Sequence, residues 1–430
     1  MREEKVRLPG WGAFRRGGQR VADAMALLGL LACVALVSQE LWFFSVLCAQ
    51  TAHSTSRRSV LDGPYLYYVL KRPEGFVLAR SHAGSSHQPV EMPRVVASFG
   101  GGFGRTGADA IVVLQTSPDG RYMAIDGTRS DDESVWIFDT RRLVLTLQPA
   151  SASGTFLHWL PGSGGTFLFR PMFPRGPLAP LQAGRWQPGL WEVNAATGAL
   201  ATLSIHAPSA FLVDAVPSPD GSHIIYSTNA GLGMGSDIWL MDRRGSQQRH
   251  LLRLSADVQS IAGLFAWSPG GQSVAYERLA DSPEPFLSAS LWLMNAQGGA
   301  QHFLARADGG HGFALSWSPD GQKIAFVTRT NPGESMADQS MQALKSAIAV
   351  IDVHSGHVWT VAGPAQTGAQ ISADPIWNPG GAQITFVAFN PLNPTLGGTL
   401  RYWTTSVTPA AAAPAATPLA PAITHVVAFV

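Results

Sequence analysis

Histidines, carboxylates and guanidinium groups are where chemistry would have to start in this chain, and their spacing argues mostly against it. His354 and His357 stand three residues apart, close enough to offer two imidazoles to one metal ion. They directly follow the apolar run 348–352, however, and occupy a hairpin where turn residues belong, so no metal is expected there. A G-x-S-x-G elbow, which would lift a serine nucleophile out of a sharp strand-to-helix turn, is absent. The two cysteines, Cys33 and Cys48, fall in or beside an apolar N-terminal stretch, which leaves the remainder without thiol chemistry or a disulfide. Asp119, Asp220 and Asp320 each sit between Pro and Gly, where a short carboxylate bonds nearby backbone, and are expected to shape turns rather than act as acids. No cofactor is expected.

Those Asp residues belong to a phrase that occurs six times. It is Ser117-Pro118-Asp119-Gly120, Trp159-Leu160-Pro161-Gly162, Ser218-Pro219-Asp220-Gly221, Trp267-Ser268-Pro269-Gly270-Gly271, Trp317-Ser318-Pro319-Asp320-Gly321 and Trp377-Asn378-Pro379-Gly380-Gly381. Proline presets φ at the first central position of a tight turn, and glycine takes the left-handed position that other residues resist. An alternating apolar run follows each copy, so the phrase joins two strands. The prolines recur 43 to 60 residues apart, a period that in an all-β chain means propeller blades. A second element keeps phase with the first. Apolar runs at 135–139, 190–194, 238–242, 291–295 and 348–352 end in Asp139, Asn194, Asp242, Asn295 and Asp352, and four of them reach Gly198, Gly245, Gly298 or Gly356 soon after, as a hairpin requires. Each repeat thus supplies four strands. The fold class is an all-β propeller of four-stranded blades, and Trp136, Trp191, Trp239, Trp267, Trp292, Trp317 and Trp377 are blade-packing residues.

These residues resemble the TolB-type, WD40-like propeller repeat, in which W-S-P-D-G joins the two inner strands of a blade. The resemblance spans roughly 95–389, and Pro161-Gly162 is its weakest copy because it lacks Ser and Asp. Propellers of this kind serve as periplasmic binding scaffolds, as sensor ectodomains and as lids of prolyl oligopeptidase-like peptidases, so the resemblance implies a shape and not an activity. No α/β peptidase domain is expected to accompany these blades. Six copies of the turn favour six blades; a seventh arises if the terminal strand groups, 65–70 with 76–80 and 423–430, form a blade of their own. Pairing the two chain ends would hide the open edge of the ring.

The first twenty residues carry six basic groups against Glu3 and Glu4, and 22–41 are almost wholly apolar. A run of about 20 such residues spans a hydrocarbon core, with the basic flank on the cytoplasmic side. The expected order is a cytoplasmic tail at 1–20, a transmembrane anchor at 21–49, a polar stalk at 50–62 and a propeller at 63–430, with a Pro/Ala-rich linker at 408–421 before the closing strand. The alternatives are a cleaved signal peptide ending near Ala49 and a lipoprotein box ending at Cys33. The propeller is then extracytoplasmic. Beyond residue 50 the chain has 24 basic and 25 acidic groups with no basic run, which excludes a phosphate-tracking surface and hence nucleic acid as partner.

Connections between second and third strands are long, and in a propeller they emerge on one face with the links between blades. Loops on a rigid scaffold are where binding concentrates, so this face is the expected binding surface. Arg170, Glu277, Arg278 and Arg329 at second-strand ends, with Asp214, His311 and Asp374 on the links, are the candidate binding residues, although a solvated or structural polar role is the first expectation for each. The reading that follows is a membrane-anchored binding or scaffold module for a protein, a peptide or an envelope glycan. A propeller lyase or hydrolase, whose site leaves no local motif, is the alternative. A sensor is disfavoured, because about 20 cytoplasmic residues cannot form a folded signalling domain.

Overall fold

The computed structural model describes residues 65–429, apart from 83–93, 100–102, 104–108, 130–131, 175–188, 206–210, 232, 256–257, 260–264, 281–286, 309–314, 341, 379, 391–400, 408–416 and 419–424. The expected tail, anchor and stalk, most of the 408–421 linker, and the residues His311 and Pro379 lie outside the described residues. No described helix is long and apolar enough to cross a membrane.

Seven antiparallel sheets form the blades, numbered here along the chain. Blade 1 takes its inner strand, His425–Phe429, from the C-terminal end and adds Tyr65–Arg72, Gly75–His82 and Arg94–Ser98. Blade 2 comprises Asp109–Thr116, Tyr122–Arg129, Asp132–Asp139 and Val144–Leu147, and blade 3 comprises Ala152–Trp159, Thr166–Pro174, Leu190–Asn194 and Leu200–Leu203. Blade 4 is Phe211–Pro217, His223–Asn229, Ser236–Asp242 and Arg249–Arg253. In blade 5 the first strand is split into Val258–Gln259 and Phe265–Trp267, followed by Ser273–Ala280, Ala289–Asn295 and His302–Ala307. Blade 6 is Ser316–Trp317, Lys323–Arg329, Ser346–Asp352 and Val358–Ala362; blade 7 is Ile371–Trp377, Gln383–Phe389, Arg401–Ser406 and Thr417–Pro418.

The count is therefore seven rather than the favoured six. The terminal segments do not complete an existing blade; they pair with each other, Tyr67 opposite Ala428, and make one. The ring closes by strand pairing between the two ends of the chain, which removes a bare edge.

The repeated turns do what their residues dictate. Gly120, Gly221, Gly271, Gly321 and Gly381 all adopt φ of 68° to 70°, and Ser117 Oγ donates to Asp119 Oδ1 at 2.6 Å while Arg121 N–H donates to the same oxygen at 3.1 Å. In the weak copy Ser163 substitutes for the missing pair, its hydroxyl donating to Leu160 O and accepting from Thr166 N–H. Adjacent turns also touch: a Cβ on Gly321 would lie 3.5 Å from Pro269 Cδ, and one on Gly381 3.6 Å from Pro319 Cδ. In blades 3, 5, 6 and 7 a tryptophan at the end of the first strand ties the blade to the one before it. The indole N–H groups of Trp159, Trp267, Trp317 and Trp377 donate to the carbonyls of Gln115, Val216, Ala266 and Ser316 at 3.0 to 3.1 Å. At the outer hairpins Asp139, Asn194, Asp242, Asn295 and Asp352 each accept two backbone N–H groups through Oδ1.

The core is a series of seams. Val216, Ile225, Ile238 and Leu240 of blade 4 meet Phe265, Trp267, Val274 and Tyr276 of blade 5, and the other seams follow this pattern. Burial of each blade's two faces against its neighbours, at about 25 cal/mol per Å² of apolar surface, supplies the main driving force. The W-S-P-D-G turns and outer hairpins share one face, the turn face. The loops between second and third strands and the links between blades share the other, the link face.

Candidate functional site

Two adjacent inner strands slip register, and the slips bring titratable groups together. In blade 3 the pairing jumps between Phe156 and Trp159, lifting Leu157 and His158 out of the ladder; in blade 4 it jumps between Leu212 and Asp214. Bulges re-aim side chains and recur beside active sites. Here they place His158 Nε2 3.5 Å from Asp214 Oδ1, with both side chains largely buried. Arg170, on the second strand of blade 3, spans the bulge: its Nη1 donates to Leu212 O at 3.2 Å and Val213 O at 2.9 Å, and its Nη2 to Thr155 Oγ1 at 3.1 Å. Thr155 donates in turn to Glu133 Oε2 of blade 2, and the adjacent Phe156 N–H donates to Asp126 Oδ2 at 2.8 Å. Burial, and then the charge of Glu133, push the Asp126 carboxyl well above its ordinary range. One network thus crosses blades 2, 3 and 4. An imidazole oriented by a carboxylate can pass a proton, but Thr155, the hydroxyl within this network, is already committed to Glu133 and Arg170.

A second polar cluster fills the seam between blades 5 and 6. Arg329 donates to both oxygens of Asp308, at 3.0 and 3.3 Å, and to Asp338 on the one-turn helix Met336–Gln339. Glu277 lies in the same seam, fully buried, and neither of its oxygens has a hydrogen-bond partner. Burial, and then the charge of Asp308, push its carboxyl well above its ordinary range.

The candidate residues therefore divide. Arg170 and Asp214 come together in the first network, and Glu277 and Arg329 in the second. Arg278 lies flat on its own blade, 3.9 Å above the Trp292 ring and bonded to Gln301 at 2.9 Å. Asp374 is buried in a third register slip, between Ala373 and Ile376, with φ of 50°. The long loop after Arg329 is also no loose appendage. Ala337 and Leu344 are fully buried, and Asn331 and Gln370 bond its backbone at Ala343, Gln342 and Leu344.

His158, Asp126, Glu133 and Asp308 were not among the candidates. Of these only Asp126 carries a sequence signal, and it is positional: Asp126, Arg170, Ser227 and Glu277 each stand six residues after a glycine of the turn that opens the second strand, where blades 6 and 7 carry Val327 and Val387. Among the described residues no group of three His, Cys, Asp or Glu side chains could hold a metal ion.

The link face itself is apolar in places. Of the ten exposed large hydrophobic residues among those described, Val95, Leu143, Val144, Leu200, Phe303 and Val358 lie on outermost strands or their hairpins. The other four, Met172, Phe211, Met234 and Met336, all lie on the link face, as does a cavity of about 500 Å³ at the mouth of the blade 4–5 seam, lined by Arg253, Ser255, Val258 and Leu279.

Comparison with known proteins agrees at the level of fold. No protein family is matched by the sequence, and no curated protein is significantly similar to it. Among solved structures, an oligogalacturonate lyase from Vibrio parahaemolyticus superposes with a TM-score of 0.53 at 13% identity, covering 80% of this chain and 86% of that one. A prolyl endopeptidase gives a TM-score of 0.56 at 14% identity over 93% of this chain but only 55% of its own. TolB from Acinetobacter baumannii gives 0.45 at 15% identity, covering 70% and 64%. With S-P-D-G turns closing four-stranded blades, the chain has the fold of a TolB-type β-propeller.

Proposed function

We propose that the protein is a membrane-anchored, extracytoplasmic propeller that binds a protein or peptide partner on its link face without chemistry. The observation that carries this reading is the placement of Met172, Phe211, Met234 and Met336. Away from the outermost strands, every exposed large apolar side chain described lies on that one face. Methionine is unbranched and polarizable, and adapts to varied apolar partners. The basic 1–20 segment and the apolar 22–41 segment support the anchor.

A peptide library displayed on phage and selected on the purified protein tests the binding reading. Phe211→Ser with Met234→Ser should abolish capture of selected peptides, while Leu200→Ser with Phe303→Ser on the rim should not. Equal capture by both variants would remove the link face from the account. An alkaline phosphatase fusion after Val430 should be active in a bacterial host, and an inactive fusion would overturn the topology.

The His158–Asp214 pair supports a second reading, a propeller lyase or hydrolase working at the inner strands. It requires that His158→Ala abolish an activity found by screening while leaving the melting temperature in place.

A further inference from the structure

We infer that the groove between blades 6 and 7 on the turn face is a binding site for a neutral sugar unit. The groove has a volume of about 540 Å³, within the usual range for small-molecule clefts of roughly 300 to 1,000 Å³. Its wall is Trp359, on the outermost strand of blade 6. At the same register the other repeats carry Thr146, Ala201, Arg249, His302 and Thr417, so this indole is a departure from the repeat and not a packing requirement of it. Its plane is fixed. The indole N–H donates to Val407 O of blade 7 at 3.1 Å, and the exposed His357 ring stacks on it with centroids 5.3 Å apart and planes at 24°.

Around this flat apolar pair stand groups that exchange hydrogen bonds with hydroxyls. Lys323, Asp352, Ser355 and Ser406 complete the lining. The Ser355 backbone N–H, then its hydroxyl, hold the Asp352 carboxyl below its ordinary range, so it is an ionised acceptor; the hairpin uses only its Oδ1. An aromatic platform with acceptors and donors at its edge matches a pyranose, whose C–H face is apolar and whose rim is hydroxylated. Charge narrows the class. Lys323 is the one cation of the lining and lies 3.9 Å from Asp320 as well as beside Asp352, so two carboxylates already answer it and an acidic sugar or a phosphate is disfavoured. The site lies on the face opposite the proposed peptide surface and does not depend on that reading.

The test titrates the full chain with cellotriose, maltotriose, mannotriose and N-acetylchitotriose, with trigalacturonate as the acidic comparison, read by calorimetry and by saturation-transfer NMR. At least one neutral trisaccharide should bind and trigalacturonate should not compete. His357→Ala should weaken binding by about fivefold or more, the loss of one aromatic contact, with an unchanged melting temperature. Trp359→Phe keeps a ring while losing the Val407 tie and should give an intermediate loss. Failure of every neutral sugar, tighter binding of trigalacturonate, or full affinity in His357→Ala would each overturn the assignment.

Discussion

The turn-side and link-side ends of the second strands hold carboxylates in opposite ways where they carry them. At the turn face Asp220 accepts from the Ser218 hydroxyl and then from the backbone and hydroxyl of Ser222, which bring it down to about 2. One blade on, Glu277 stands six residues beyond Gly271 toward the link face, buried with no donor at all, and burial pushes its carboxyl up instead of down. The first carboxylate is surrounded by the groups that its turn must satisfy anyway. The second answers no requirement of the blade, since Val327 fills the equivalent place in blade 6. Turn polarity is explained by shape; seam polarity is not, and that difference separates residues kept for the fold from residues available for something else.

Five substitutions sharpen or break this contrast, taken from the largest expected effect down. Arg329→Met strands Asp308 in a buried seam and should cost about 3–5 kcal/mol in chemical denaturation; a loss below about 1 kcal/mol would show that water replaces the guanidinium. Gly321→Val forces a β-branched residue to a φ of 70° and should cost about 1–3 kcal/mol with peptide capture intact. Trp377→Phe removes the N–H that reaches Ser316 O and should cost about 1 kcal/mol, and a neutral result would mean that the indole tie is incidental.

Glu277→Gln has the smallest effect at any single pH but changes the slope. A carboxyl raised above 4.5 in the fold loses stability as pH climbs from there toward its folded value, so the wild type should weaken across that interval and the Gln variant should not. Asp220, shifted down from 3.8, works in reverse: its contribution is present above that value and fades as pH falls toward about 2, and Asp220→Asn should flatten the acid limb alone. Parallel pH profiles for the wild type and both variants would refute the contrast.

What could be seen in advance follows the same division. Turns and hairpin caps are local, set by residues within a few positions of each other, and were legible; the packing role of Trp267, Trp317 and Trp377 showed in their recurrence beside the turn, although their partners stand 51 to 61 residues earlier. Blade number was not, because it depends on Tyr67 meeting Ala428 across almost the whole chain. The His158–Asp214 pair was equally hidden: it exists because two inner strands slip register, and a slip leaves no mark on the alternation of either strand. Arg170 was picked at a second-strand end and Asp214 on a link between blades; Asp214 lies instead within the strand Phe211–Pro217, and what joins the two is a pair of bulge carbonyls.

The shared blade also sets a timetable for biogenesis. Its three N-terminal strands are complete by Ser98, yet the strand that covers their inner edge begins at His425. At a synthesis rate of about 5–20 residues per second, some tens of seconds pass between the two events. Throughout that wait the nascent sheet displays an unpaired edge of amides and carbonyls, a template on which another chain can pair.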